Sequence, residues 1–340
     1  MIALYLKDSP QKLSNILSSL GVSFSTIGNV FILDMEKHAF FLIVEDLPKE
    51  ITKKLKISFV EKEDLSSAEK LIEIGFRSIS LEEFAEENLF YGLSEVLNNG
   101  DIYFHSIIDV KTKKIYGFEA LCRLPIPIYK LFKVSDRIAF FADNFCRERA
   151  LLDYTRRFPM QNYHLFLNFH PKFLKNPLEN VGELITSLMN KEVDASKIVV
   201  EIDEYEGMDL KSVKLIRDFL KAEGIQVALD DVGAGYAGLY QLTEIHPDIA
   251  KLDMALVRDV YKSPVKQAVV KGLISACKAS NIKVLAEGIE KEEELLFLLE
   301  AGVDLLQGFL FSKPSTYPNT REIEKVAYNL LAKHPLGGLL

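Results

Sequence analysis

From Gly100 onward the hydrophobic pattern alternates between amphipathic helices and short apolar runs. The segments LKAEG-IQVALD, ACKASN-IKVLAE and FLLEAG-VDLLQG show this most clearly. Gly224, Asn281 and Gly302 stand where a residue in the left-handed conformation closes a helix. The runs that follow carry Val, Ile and Leu on both faces and are too short for helices. This composition is typical of buried parallel strands.

Polar or charged side chains stand at or near the carboxyl ends of six successive runs. One such residue alone is usually a helix cap or a solvated loop carboxylate, but six in sequence predict a shared site. Parallel α/β folds collect these ends at one edge, where their active sites lie. About eight strand candidates in roughly 240 residues favour an α/β fold of the (β/α)8 TIM-like barrel type, with a doubly wound open sheet as the alternative. The polar strand ends are Asn168, Glu201, Asp230 with Asp231, Lys251 with Asp253, Glu287 and Gln307.

Residues 1–95 have a different pattern, which predicts a small N-terminal α/β domain. IALYL, NVFILDM and HAFFLIVED resemble strands, and PQKLSNILSSLG and LPKEITKKLK resemble helices. Two further helical patterns, LSSAEKLIEIG and SLEEFAEENLFYGLSEVLNNG, lead towards the barrel at 96–335. The domain carries no motif, so its role stays open between sensing a signal, binding a protein partner and covering one end of the barrel.

Composition narrows the function classes. The 340 residues are 48% hydrophobic, with a formal net charge of −8, which argues against binding bulk nucleic acid. No run reaches the roughly 18–20 apolar residues of a membrane span, and MIALYLKDSP is too short and charged too early for a signal peptide. The three cysteines are odd in number and lack CxxC spacing, so we expect no disulfide framework and a cytoplasmic location.

Glu119 poses a chemical question, because it stands within the apolar run YGFEALCRL. A buried charge without a partner costs on the order of several kcal/mol. Together with Asn168, Glu201 and Asp230 it forms an oxygen-rich set of the kind that Mg²⁺ and Mn²⁺ prefer. Asp231 can join them at a strand end, and a carboxylate that bridges two ions is common in two-metal hydrolases. A bound cation would compensate the charge of Glu119.

Two basic residues have alternative interpretations. Lys251 either balances the acidic cluster as a structural salt bridge or orients a water and stabilises an oxyanion. A further alternative makes Lys251 a Schiff-base amine of another barrel enzyme. Arg123 either forms a bidentate contact with a phosphate through its guanidinium group or lies on the surface without a ligand. His170 has no second zinc ligand at the required spacing, so we interpret it either as structural or as a residue that supports the site ligands from behind. No nucleotide-cofactor fingerprint occurs.

The motifs FEALCR, LNFHP, VVEIDE, LDDVGAGYAGL, AKLD, AEGIE and LLQGFLFSKP occur in this order. Together they resemble the EAL-domain family of cyclic di-GMP phosphodiesterases over residues 96–335. The resemblance implies a modified (β/α)8 barrel with one antiparallel strand and two Mg²⁺ or Mn²⁺ ions. It also implies metal-dependent hydrolysis of cyclic di-GMP to linear pGpG in bacterial second-messenger signalling, by a homodimer.

The resemblance further implies a role for each matching residue. The implied catalytic residues are Lys251, Glu287 and Gln307, with Lys251 and Gln307 orienting the attacking water. Arg123 and Asp231 are the implied substrate-binding residues, and Glu204 and Glu290 the supporting ones. The implied metal ligands are Glu119, Asn168, Glu201, Asp230, Asp231 and Glu287.

Three departures from the family pattern leave an alternative open. The loop after Asp231 reads VGAGYAGL where FGTGYSSL is usual, so Ala234 and Ala237 lack hydroxyls. His105-Ser106 replaces the usual Gln-Pro, and the segment from Pro125 to Phe140, which in the family shapes the substrate pocket, is shortened. The alternative is a catalytically weak or inactive cyclic di-GMP receptor.

Overall fold

A computed structural model describes the chain from residue 1 to 333, except 7–9, 36, 45–46, 53, 62–69, 71–77, 81–92, 94–95, 135, 161, 170–176, 203–209 and 234–237. The chain divides into two compact units, Met1–Asn99 and Gly100–Leu340. Among the described helices, none combines the length and the apolar character needed to cross a membrane.

The first unit contains a five-stranded antiparallel sheet in the order β2-β3-β1-β4-β5. Leu4 of the central strand packs with Leu13 and Leu17 of the first helix, and all three side chains are fully buried. The strands are β1 Ile2–Tyr5, β2 Phe24–Ile27, β3 Val30–Leu33, β4 Lys56–Phe59 and β5 Ile79–Ser80, and the helices are α1 Pro10–Ser19, α2 Lys37–Val44 and α3 Lys49–Thr52.

One prediction for this unit is wrong. The run HAFFLIVED, predicted as a strand, contains helix Lys37–Val44. A short run that is apolar throughout does not distinguish helix from strand by its period, and β1 already pairs with β3 and β4 along both its edges. LPKEITKKLK, predicted as helical, contains the helix Lys49–Thr52 before β4 begins. The helical patterns at 65–75 and 80–100 lie largely outside the described residues.

The second unit is a closed eight-stranded barrel, which confirms the predicted fold and excludes the open sheet. Strand β6 runs antiparallel to both of its neighbours, β13 and β7, and the other neighbours pair in parallel. The strands are β6 Asp101–Asp109, β7 Lys114–Arg123, β8 His164–Phe169, β9 Ile198–Ile202, β10 Gln226–Val232, β11 Ile249–Leu252, β12 Lys283–Ala286 and β13 Leu305–Gln307.

Helices surround this barrel and cover the outward face of its strands. Outward side chains such as Leu165 and Val200 pack with helix residues such as Ile216 and Leu298 in one large hydrophobic core. Gly224, Asn281 and Gly302 have positive φ angles of 79°, 56° and 88°, as the helix-closing pattern predicts. The helices are α4 Ile128–Val134, α5 Asp136–Arg157, α6 Pro177–Asn190, α7 Leu210–Ala222, α8 Gly238–Ile245, α9 Met254–Val257, α10 Pro264–Ala279, α11 Glu292–Ala301 and α12 Thr320–Ala332, with 3₁₀ turns at Ala195–Lys197 and Val260–Lys262.

The barrel interior is filled in layers. At its amino-terminal end the rings of Tyr116 and His164 stack 4.1 Å apart, beside Gln226 and Lys283. These groups and the apolar layer above them close the lower part of the barrel, so the carboxyl ends of the strands are left for chemistry. The apolar layer consists of Ile107, Phe166, Val199, Ala228, Ile249, Leu285 and Leu305.

Cys122 of β7 and Cys146 of α5 form a disulfide, with their Cα atoms 5.7 Å apart. The cysteine count and spacing led us to expect no disulfide framework, and they did not predict this single bond. The two residues are 24 positions apart, and nothing in their spacing indicates contact. Cys277 is a buried free thiol.

We predict that Gly117→Ala lowers the free energy of unfolding by about 1–3 kcal/mol, because a Cβ at Gly117 would overlap the backbone of His164 in the neighbouring strand. Gly272→Ala is the matched control. A Cβ there meets no heavy atom within 4 Å, so this helical position should gain about 0.5–1 kcal/mol. Urea unfolding followed by circular dichroism measures both variants. Equal midpoints would show that β7 and β8 can separate to admit the methyl group.

Candidate active site

Strand alternation places a polar side chain directly above each apolar side chain of the barrel interior. Residues two positions apart on a strand share a face, so Glu201 follows Val199. Asp230 follows Ala228 in the same way, and the rule extends around the barrel. The polar layer consists of His105, Glu119, Asn168, Glu201, Asp230, Lys251, Glu287 and Gln307.

Lys251 lies at the centre of this layer, with a side chain that is 1% exposed. Its Nζ is 2.6 Å from Oε1 of Glu201 and 2.8 Å from Oδ2 of Asp230. Oε1 of Glu287 lies 2.7 Å away, and Oε1 of Glu119 lies at 3.9 Å. One ammonium group thus holds together carboxylates from four different strand ends.

Glu119 is stabilised from two sides, which accounts for a carboxylate in an apolar strand. Nε2 of Gln307 donates a hydrogen bond of 2.8 Å to its Oε2, and Lys251 faces its Oε1. His105 is its partner across the antiparallel pair β6–β7. The side chain of Glu119 remains 12% exposed.

Asp230, Asp231 and Glu287 form a second feature of the site, because one oxygen from each lies within 4.8 Å of the others. Asp231 has a left-handed backbone with φ of 54°, and its N–H donates 2.8 Å to Oδ1 of Asp230. This turn brings consecutive side chains of a strand end to one cluster. Oxygen ligands at this separation could hold a hard divalent cation.

Negative charge exceeds positive charge in this cluster. Burial, and then the nearby carboxylates, raise the pKa of Glu201 well above its ordinary value and the pKa of Glu287 to about 8. The same causes raise the pKa of Asp231 to about 6. Oε2 of Glu201 is buried and has no hydrogen-bond partner among the described residues. A cation would compensate this excess, so the residues present fit a divalent metal.

The charge of Lys251 is fixed by the same carboxylates. Burial by itself lowers the pKa of the ammonium, but Asp230, Glu201, Glu287 and Glu119 together hold it well above its ordinary value. A Schiff base requires the neutral amine. The Schiff-base alternative for Lys251 is therefore disfavoured.

The remaining predicted site residues lie at the edge of the cluster or apart from it. Asn168 is half-buried and in register with Glu201 on the neighbouring strand. Arg123 is exposed at the last position of β7. Glu290 is an exposed residue that forms an ion pair with Arg258, so it does not reach the cluster. Glu204, His170, Ala234 and Ala237 lie outside the described residues.

Glu294 was missed by the sequence analysis. Its buried carboxylate accepts backbone N–H groups from Asp259 at 2.8 Å, Glu290 at 3.0 Å and Lys291 at 3.1 Å. It thereby joins the loop that follows Glu287 to the turn after α9. The bond from the N–H of the N-cap residue Lys291 to Glu294 is one half of a capping box, but the acids around Glu294 hide this signal in the sequence.

Known proteins resemble this chain in sequence and in structure. The sequence model of the EAL domain matches residues 93–314. The antirepressor BluF of Escherichia coli K12, described as blue light- and temperature-regulated, is 30% identical over 221 residues, which are 63% of this chain and 54% of BluF. The cyclic di-GMP phosphodiesterase PdeA of Borreliella burgdorferi is 28% identical over 225 residues, which are 63% of this chain and 33% of PdeA.

A standalone EAL protein from Vibrio cholerae O395, crystallised in its c-di-GMP bound form, is a similar solved structure. Its TM-score is 0.59 at 30% sequence identity, and the match covers 64% of this chain and 92% of that one. The chain thus spans about half of BluF and a third of PdeA, but nearly all of the Vibrio protein.

We predict that the metal-free protein loses stability as the pH rises from 4.5, the ordinary pKa of a glutamate, to about 8, the pKa of Glu287 in the fold. The carboxyl group of Glu287 binds its proton more tightly in the folded state than in the unfolded chain. Raising the pH removes this proton and with it a contribution to stability. The raised pKa values of Glu201 and Asp231 act in the same direction, whereas the pKa values of His105 and His164, which burial lowers, act in the opposite direction below about pH 6.5. Urea unfolding in EDTA across this interval measures the slope.

Glu287→Gln should flatten this slope, because the amide does not titrate. Glu223→Gln, at an exposed position, is the control and should keep the slope of the original protein. A stability that rises with pH across the interval in the original protein would contradict the charge balance described for the cluster.

We predict that Glu294→Ala lowers the free energy of unfolding by about 1–3 kcal/mol, because three backbone donors lose their buried acceptor. Hydrogen exchange should accelerate at the amides of Asp259, Glu290 and Lys291. Glu300→Ala removes an exposed carboxylate of the same helix and should change neither measurement. Unchanged exchange in Glu294→Ala would mean that the two loops are held by other contacts.

Proposed function

The chain belongs to the EAL-domain family, and from this premise we propose that its barrel is a metal-dependent phosphodiesterase that hydrolyses cyclic di-GMP to linear pGpG. The observation that carries the proposal is the excess of buried carboxylates around Lys251 at the carboxyl ends of the barrel strands. A group of oxygen ligands with excess negative charge suits Mg²⁺ or Mn²⁺. Phosphodiesters are the class of anionic substrate whose hydrolysis such ions assist.

The metal ligands in this proposal are Glu119, Asn168, Glu201, Asp230, Asp231 and Glu287. When bound, two divalent cations would lower the pKa of water and offset the charge of the phosphate. The carboxylate pairs around Lys251 orient these oxygens before any cation arrives, which reduces the reorganisation that binding requires.

Each remaining residue has a role that follows from its charge and position. Lys251 stays protonated, so it stabilises developing negative charge and orients the attacking water rather than accepting its proton. Gln307 holds Glu119 with its amide and directs the remaining lone pairs towards the barrel mouth. Arg123, at the outer end of β7, presents a guanidinium that can fork onto a phosphate.

We also propose a location, an oligomeric state and a role for the first domain. We place the protein in the cytoplasm as a homodimer that takes part in second-messenger signalling. The domain at 1–95 would then receive a signal or a protein partner and regulate the barrel at 96–335. The resemblance to the family supports the dimer, and the separate core of the first unit supports an independent role.

We predict that purified protein converts cyclic di-GMP to pGpG with Mn²⁺ or Mg²⁺, and that EDTA abolishes the reaction. Glu119→Ala should lower kcat/KM by about a hundredfold or more, because it removes a metal ligand at the reacting centre. Chromatographic separation of the products measures this. Glu223→Ala, an exposed carboxylate near the amino ends of the strands, should retain full activity.

A second function, a receptor for cyclic di-GMP, would be favoured by one result. If the protein forms no product but binds cyclic di-GMP tightly in calorimetry, it transmits the signal by binding cyclic di-GMP and not by cleaving it. The altered loop after Asp231 and the match to an antirepressor support keeping this candidate. Absence of both product and binding would contradict both functions.

A further inference from the structure

The disulfide between Cys122 and Cys146 lies beside the candidate active site, and the proposed reaction does not use it. Cys122 is partly buried and packs against the core between barrel and helices, and Cys146 is 9% exposed. The bond joins the carboxyl-terminal end of β7 to the middle of α5. It closes a loop that contains helix Ile128–Val134 and the first turns of α5.

On the strand side, the bond acts next to two predicted site residues. Side chains alternate along β7, so Glu119 and Arg123 share the inward face and Cys122 takes the outward face. The ladder with β6 is regular from Gly117 to Arg123, so no bulge breaks this alternation. A constraint on Cys122 therefore restrains the backbone that carries Arg123.

On the helix side, the bond reaches a second strand of the site. Arg147 follows Cys146 and forms a buried ion pair with Asp143. Its guanidinium lies 4.6 Å from the ring of Phe169, the residue after Asn168. The helix segment around Cys146 is thus packed against the ends of both β7 and β8.

We propose that Cys122 and Cys146 are a reversible redox site, oxidised by small-molecule disulfides of the glutathione class, which restrains residues 123–145 at the mouth of the barrel. In the oxidised form the segment beside Arg123 is closed into a loop and loses freedom before a ligand binds. The effect on cyclic di-GMP rests on the proposed function, whereas the pairing of the thiols does not.

The chemistry balances as two exchange steps. The thiolate of the more exposed Cys122 attacks one sulfur of the oxidant, forms a mixed disulfide and releases one thiolate. The thiolate of Cys146 then attacks the Cys122 sulfur and releases the second. In sum, two protein thiols lose two protons and two electrons, and one oxidant disulfide becomes two thiols.

Cys277 provides an internal contrast. Burial, with the charge of Asp304, raises the pKa of its thiol to about 11, so its thiolate is scarce at neutral pH. It is buried and has no cysteine partner in the structure. We expect oxidants to leave it unchanged.

The experiment incubates the full chain in buffers of varied reduced-to-oxidised glutathione ratio, traps free thiols by alkylation and counts them by mass spectrometry. We expect Cys122 and Cys146 to lose alkylation together, without a retained glutathione adduct, and to regain it in excess reduced glutathione. Cys277→Ser should behave identically. Cys122→Ser and Cys146→Ser should form no internal bond.

Two functional readouts compare the oxidised and reduced forms. Chymotrypsin should cut after Tyr129, which is 55% exposed inside the closed loop, more slowly in the oxidised form. Cutting after Tyr240, which is 60% exposed outside the loop, should not respond. Calorimetry should show cyclic di-GMP bound about fivefold or more tightly in the oxidised form, and Cys146→Ser should lose this difference.

The outcomes separate this proposal from the proposed function. Thiols that stay alkylatable at every ratio, or a bond that excess reduced glutathione leaves intact, would overturn the redox site. Equal cleavage after Tyr129 in both forms would overturn the restraint. A reversible bond that slows this cleavage, in a protein that neither binds nor cleaves cyclic di-GMP, would support the redox site and reject the proposed function.

Discussion

The ammonium group of Lys251 is the interaction on which the site depends. It lies within 2.8 Å of carboxylates from β9 and β10 and of Glu287 after β12. Without a buried cation these like charges would repel one another in a low-dielectric interior. One lysine offsets only part of the charge, and the remaining excess is the feature on which the proposed divalent metal site rests.

The barrel beneath the charged cluster makes this arrangement of side chains possible. Its apolar layer, represented by Phe166 and Ile249, keeps water away from the lower side of the cluster. Closure of the barrel brings β13 beside β6, so that Gln307 can reach Glu119 across 188 positions of sequence. Glu294 likewise joins two segments, the loop after β12 and the turn after α9, through backbone hydrogen bonds that its carboxylate accepts.

The strands and helix ends that could be predicted are those that follow from the local pattern of hydrophobic and polar residues. Short runs of Val, Ile and Leu with a polar residue at the end identify buried parallel strands, because both their composition and their spacing are local. The strand carrying Glu119 and the residues that close the helices were predictable for the same reason. The helix Lys37–Val44 was not, since an apolar run of this length suits either conformation and the surrounding sheet decides.

The sequence by itself therefore determined the barrel, its single antiparallel strand through family resemblance, and which polar residues stand at strand ends. Only the tertiary structure decided how those residues meet: Lys251 among four carboxylates, Glu290 with Arg258 outside the cluster, and Cys122 with Cys146. Strand identity follows from local hydrophobic pattern. Contacts between residues far apart depend on barrel closure and helix packing, which no local pattern encodes.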